Sequence, residues 1–250
     1  MNTDNLAGTT PEPRKEPLTS KQSRIISKVL SPAVRLWLLR TVQQVSNLEV
    51  KISGSDRQIL SGYIPRVSIS AHHAVYQGLH LSQIQLVGEG IRINLGQVLR
   101  GQPLQLLEPV PVFVELLLQE SDLNASLQSP MLANALNELL LTLLPASCPV
   151  DGIVSWHKIT IDSGQLILYG TLAADTSNST PVVIRTGLQL ASSHELQLEQ
   201  PQIHNQEGLS LGNIDSFKLD LGPEVAIAEL NLSPGKLFCH GRINVIPSSP

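Results

Sequence analysis

Three histidines, His72, His73 and His80, fall within nine residues in the stretch SISAHHAVYQGLHLSQIQL, residues 68–86. Imidazole is the usual nitrogen ligand for a transition metal and the usual proton carrier near neutral pH, so the spacing decides what these three can do. The alternation of a strand puts Val67, Ile69, Ala71, His73 and Val75 on one face. It puts Ser68, Ser70, His72, Ala74 and Tyr76 on the other, so His72 and His73 diverge. Tyr76-Gln77-Gly78 suits a three-residue hairpin loop with Gly78 left-handed. That loop pairs Val75 with Leu79 and His73 with Leu81. It sets His72 opposite Ser82, with His80 as a diagonal neighbour. His72 and His80 are then the pair able to share a ligand, and a metal needs three or four donors. No carboxylate or cysteine lies nearby in sequence to complete a set, so strand histidines without a metal are expected.

Other residue types offer less. Cys148 and Cys239 stand in neither a CxxC nor a CxxH pair, which suits a reducing compartment and leaves one disulfide between them open. Cys239 and His240 adjoin in a strand-like run, where their side chains face apart, and a buried structural cysteine is the expectation. No GxSxG, GxxxxGK[ST], HExxH or DxDxDG string occurs. GEGIRINLG, residues 88–96, reads as turn, strand and turn, and does not open a helix to cradle phosphate. The carboxylates are scattered singly. Catalytic residues, metal and cofactor are therefore all expected to be absent.

Composition points the same way. Of 250 residues, 42% are hydrophobic but only 3% aromatic and 15% charged, so Leu, Ile and Val supply the apolar surface of a chain long enough for a real core. The net charge of −4 excludes nucleic acid as a natural partner. Residues 1–20, a Pro/Thr/Glu/Lys mixture, are expected to form a disordered tail, and residues 21–250 a single domain. The opening residues hold no apolar signal-type segment, and the longest apolar run, LLLTLL at 139–144, is too short to span a bilayer. The expectation is a cytoplasmic protein, or one peripheral on the cytoplasmic face of a membrane.

The elements that would position these residues alternate in period. KQSRIISKVLSPAVRLWLLRTVQQV (21–45) reads as two helical segments, the second starting at Ser31-Pro32, an N-cap followed by proline at the first helical position. On one continuous phase Ile25, Ile26, Val29, Leu30, Leu36 and Trp37 share an arc. Lys21, Arg24, Lys28 and Arg35 gather beside it. From Asn47 to Leu118 the period is two: LEVKIS, RQILSG, RVSISAH, LHLSQIQL, IRINL and VPVFVELLL read as strands. ESDLNASLQSPMLANALNELLLTLL then reads as helix, capped by Ser121 or Asp122 and restarting at Ser129-Pro130. One face carries Leu132, Leu136, Leu139, Leu140 and Leu143, with Asn137 among the polar residues opposite. After Gly152 strand alternation returns to the C-terminus. The turn in ISGSDRQILSG resembles that in IDSGQLILYG, which suggests shared hairpin chemistry. The order helix, strands, helix, strands gives an α+β fold with a mainly antiparallel sheet and amphipathic helices on one face.

The basic strip has a physical use. A cationic side chain at an anionic membrane is worth about 1 kcal/mol, so Lys21, Arg24, Lys28 and Arg35 together would give about 4 kcal/mol, enough for transient contact. Trp37 at the interface would add to it.

Over roughly residues 25–248 the sequence resembles the LmeA-like phospholipid-binding family in its cyanobacterial form. The resemblance is strongest over DRQILSGYIP, AVYQGLHLSQIQL, INLGQVLRGQPLQLLEPVPV and DLNASLQSP. That family is similar to the tubular lipid-binding (TULIP-like) proteins, in which a long curved sheet wraps a helix and leaves an apolar groove. The resemblance implies phospholipid binding, lipid transfer or membrane-associated lipid homeostasis, with an anionic membrane as peripheral partner, no enzyme activity and no metal. Sheltering a lipid chain needs about 0.8 kcal/mol per methylene, on the order of 12 kcal/mol for sixteen carbons, which only a long aliphatic groove supplies. The helix at 123–144 and the strands at 110–118 would line it: Val112, Val114, Leu116, Leu132, Leu136, Leu139, Leu140 and Leu143. The competing expectation is a scaffold that holds a protein partner through strand edges or the N-terminal helix.

Overall fold

The structure, a computed structural model, describes residues 30–144, 154–173, 179–205, 210–213 and 215–247. It is built on two open antiparallel sheets, where a single long sheet was expected. The first contains β1 (Gln44–Ser53), β2 (Tyr63–Tyr76), β3 (Leu79–Arg92), β4 (Val110–Gln119), β11 (Val225–Ser233) and β12 (Lys236–Val245), in the order β1-β2-β3-β4-β12-β11. The second contains β5 (Val154–Asp162), β6 (Gln165–Ala173), β7 (Ser179–Leu190), β8 (Glu195–Asn205) and β10 (Ser216–Asp220), in the order β10-β8-β7-β6-β5, with β9 (Ser210–Asn213) beside β8. The hairpin turns of the two sheets meet. Gly235 donates its backbone N–H to the Ile161 carbonyl at 2.9 Å, and Gly164 donates to that of Leu232 at 3.1 Å.

Each sheet has its own core. Helix α1 (Ser31–Thr41), preceded by Leu30, lays Leu30, Val34 and Leu38 on Ile52, Ile64, Val67, Ile91 and Val110 of the first sheet. The buried stripe is spaced by four residues, one helical face. Leu36 and Trp37, expected on the apolar arc, instead point outward, at 54% and 37% exposure. The expected helix divides at Ser129-Pro130 into α4 (Glu120–Ser126) and α5 (Pro130–Leu143). Asp122 caps α4 from within its first turn, accepting the Gln119 backbone N–H at 3.0 Å, where Ser121 or Asp122 was expected to precede the helix. Leu136, Leu140 and Leu143 of α5 join Ile159, Leu168, Ile184 and Ile203 in the core of the second sheet.

Two local expectations are corrected. RQILSG is not a strand: Ser55 and Gln58 form a reciprocal capping box, and Asp56–Leu60 is helix α2 with Ile59 fully buried. It is therefore unlike IDSGQLILYG, which is a true hairpin around Ser163-Gly164. GEGIRINLG ends β3 and leads into a one-turn helix, α3 (Leu95–Val98), too short to gather a phosphate.

The β2–β3 hairpin also differs. Its loop is two residues, Gln77 and Gly78, with φ of 49° and 81°, the primed turn that matches strand twist. Tyr76 therefore pairs with Leu79, Val75 with His80 and His72 with Gln83, one residue away from the expected register. On its other side β2 meets β1 through two consecutive bulges. One falls between the pairs Gln44–Val75 and Ser46–His72, the next between Ser46–His72 and Glu49–Ser70, and together they restore the starting register. His73 and Asn47 sit at these bulges with φ of 48° and 49°. The strand alternation breaks there: Ala74 and Val75 are both buried and His73 is exposed.

Candidate functional site

One face of the first sheet is aliphatic across its whole width. Val112, Val114 and Leu116 on β4 stand opposite Gly88, Leu86 and Ile84 on β3, and opposite Ile243, Gly241 and Cys239 on β12. The rows continue through Val67, Ile69 and Ala71 on β2 to Ile52 and Val50 on β1, and through Leu230 to β11. The reverse face at the same level carries Ser70, Gln85, Glu115 and His240. Period-two patterning in the six strands, kept in phase by the ladders, produces this separation. At one end α1 closes the face, and Val67 and Val110 are buried. Beyond that end Ile84, Leu86, Val114, Leu116, Leu118 and Cys239 are only half-buried. Burial is still enough to push the Cys239 thiol above its usual range, because the thiolate loses hydration. Cys239 and His240 face apart, as the strand period requires.

The expected groove residues fall into two groups. Val112, Val114 and Leu116 lie on this half-buried face. Leu136, Leu140 and Leu143 are packed against the second sheet, with Leu132 and Leu139 partly buried beside them. There Trp156 donates its indole N–H to the Asn137 side-chain oxygen at 2.9 Å, so Asn137 faces the sheet and not the polar side.

The histidines meet differently from expectation. His73 and His80, not His72 and His80, line a pocket of about 210 Å³. Gln44, Val45 and Ser46 of β1, Ala74 and Val75 of β2, Leu81 of β3 and Asp122 of α4 complete it. His73 reaches it from the bulge, at φ 48°, and the two-residue turn sets His80 opposite Val75, features with no sequence signal beyond the residues themselves. Asp122 Oδ2 accepts the Ser82 hydroxyl and the Gln119 N–H. No hydrogen bond joins the carboxylate to either imidazole, and among the described residues no cluster of three or more His, Cys, Asp or Glu could hold a metal ion.

Of the expected membrane-contact residues, Arg35 and Trp37 are exposed on α1 beside Leu36 and Leu39, which are also exposed. Lys21, Arg24 and Lys28 lie outside the described residues, as does Cys148. A second apolar patch was not foreseen. Leu60 and Leu107, each more than half exposed, rim an open basin of about 380 Å³ with Arg100, and the exposed Leu99 adjoins it. The cue lay in isolated leucines beside Gly and Arg in loops, which carry no periodicity. Among the described residues no helix is long and apolar enough to cross a membrane.

An aliphatic sheet face left half-open offers burial to an apolar molecule, on a fold of two mainly antiparallel open sheets. The family model for LmeA-like phospholipid-binding proteins matches residues 21–242, and the chain belongs to that family. No curated protein and no solved structure matches it significantly.

Proposed function

We propose that the protein binds a phospholipid by laying its acyl chains on the aliphatic face of the first sheet, along Val112, Val114 and Leu116 of β4. The observation that carries this is the half-burial of that face beyond α1. A folded protein rarely leaves a contiguous apolar surface of several strands partly open unless something docks there. At about 25 cal/mol per Å² of apolar surface removed from water, a few hundred Å² of contact repays much of the cost of taking a chain from a bilayer. The leucines of α5 anchor the core of the second sheet. Exchange with a membrane proceeds through peripheral contact, with Arg35 and Trp37 and the Leu60, Leu99 and Leu107 rim as the surfaces that reach the interface. The reaction is binding and release, without covalent chemistry.

The test is native mass spectrometry of the purified protein, followed by organic extraction. A phospholipid at one or two per chain supports the proposal. A protein that is lipid-free and takes up no fluorescent phospholipid from vesicles overturns it.

A further inference from the structure

The aliphatic rows end in a polar pocket. Ser82 precedes Ile84 on the same face of β3, and its hydroxyl is held by Asp122, so the carboxylate sits where the apolar positions stop. The pocket beside it brings together His73, His80 and Asp122 from three elements, with Gln44 and Ser46 at its wall. Neither imidazole has a hydrogen-bond partner, and Asp122 Oδ1 has none either, among the described residues. His73 is held at φ 48°, a conformation that non-glycine residues adopt at some cost, and such positions gather at ligand sites. At about 210 Å³ the pocket is smaller than the roughly 300–1,000 Å³ that enclose a whole drug-sized ligand, which suits a headgroup and not a diacyl lipid.

Resting on the lipid-binding proposal above, we propose that this pocket is a headgroup subsite for an aminophospholipid. The imidazole N–H groups of His73 and His80 donate to the phosphate, and the Asp122 carboxylate accepts from the primary ammonium. The glycerol then lies toward Ser82, and the acyl chains follow Ile84, Leu86, Val114 and Leu116. The charge arrangement sets the specificity. A headgroup with phosphate alone meets the carboxylate unpaired, and a quaternary ammonium has no N–H to give it.

The experiment offers the full-length protein vesicles of equal parts phosphatidylethanolamine, phosphatidylglycerol and phosphatidylcholine, and separately vesicles doped with diacylglycerol. Extracted lipid is quantified by class. The wild type is expected to take phosphatidylethanolamine about tenfold over the other two, the worth of one charge-assisted hydrogen bond. Asp122→Asn keeps an acceptor for Ser82 and Gln119 and is expected to abolish the preference without abolishing uptake. His73→Asn, which tolerates positive φ, and His80→Gln are expected to lower phospholipid uptake several-fold and leave diacylglycerol uptake unchanged. Thermal melts identify any variant that fails to fold, and the wild-type class ratio decides in that case. Phospholipid uptake without class preference, or a preference that survives all three substitutions, overturns the subsite and leaves lipid binding standing. Failure to take up any lipid, diacylglycerol included, overturns both.

Discussion

Cys239 stands directly opposite Leu116 across the β12–β4 ladder, in the middle of the aliphatic face. Burial raises the pKa of its thiol, so less thiolate is present at a given pH than for a free cysteine. In a Cys148→Ser background, reaction with a thiol reagent at pH 8 is expected to be slower than for glutathione, and slower again once lipid is loaded. Equal rates with and without lipid would place the cargo away from this row.

Val114 and Phe113 are neighbours in β4 that face opposite ways, the first toward the aliphatic face and the second outward at 47% exposure. Val114→Asp is expected to reduce phospholipid uptake at least about tenfold, because a charge in contact with acyl chains must be desolvated. Phe113→Ser is expected to leave uptake within about twofold of wild type, since its ring is not on the binding side. Uptake assays on the two variants, paired with circular dichroism to verify folding, check this.

The role of α5 is separable from that of β4. Leu140→Ala removes a 2% exposed side chain from the second core and is expected to cost about 2–5 kcal/mol. Trp156→Phe leaves the Asn137 oxygen unpaired at about 1–3 kcal/mol. Melting temperatures should fall by about 2–4 °C for each kcal/mol. Lipid uptake below the melting transition is expected to be unchanged, and a selective loss of uptake would bring α5 to the cargo.

Gly241 lies on the aliphatic face, and a Cβ there would meet the Ala226 carbonyl oxygen at 2.6 Å and Ile227 Cα at 2.8 Å. The obstacle is backbone, which cannot swing aside. Gly241→Ala is expected to destabilise the β11–β12 pair by about 1–3 kcal/mol, whereas Gly96→Ala, which meets nothing within 4 Å, is expected to be neutral or slightly stabilising. Chemical denaturation of both variants measures the difference.

Much of the fold could be read from periodicity, because most strands alternate cleanly and Ser-Pro pairs mark the starts of α1 and α5, although Leu30 and not Ser31 is the N-cap of α1. RQILSG escaped because its few apolar residues fit either period, and the capping box between Ser55 and Gln58 outweighed the strand pattern. The histidine geometry escaped for a different reason. A primed two-residue turn at Gln77-Gly78 and a bulge at His73 each move side chains by one position, and neither leaves a mark in composition. The division into two sheets depends on long-range pairing of β4 with β12, which no local pattern announces.

The paired bulges of the β1–β2 ladder have a consequence for solubility. β1 is an outer strand of the first sheet, and an outer strand with a regular row of open amide and carbonyl groups invites another chain to add to it. Two successive register breaks, with Asn47 left-handed in the second and Glu49 and Lys51 paired on the surface just after, deny an incoming strand the even spacing it needs. The irregularity around His73 and Asn47 therefore also blunts the edge against fibril growth, so a mutation that straightened β1 would expose the protein to self-templated aggregation.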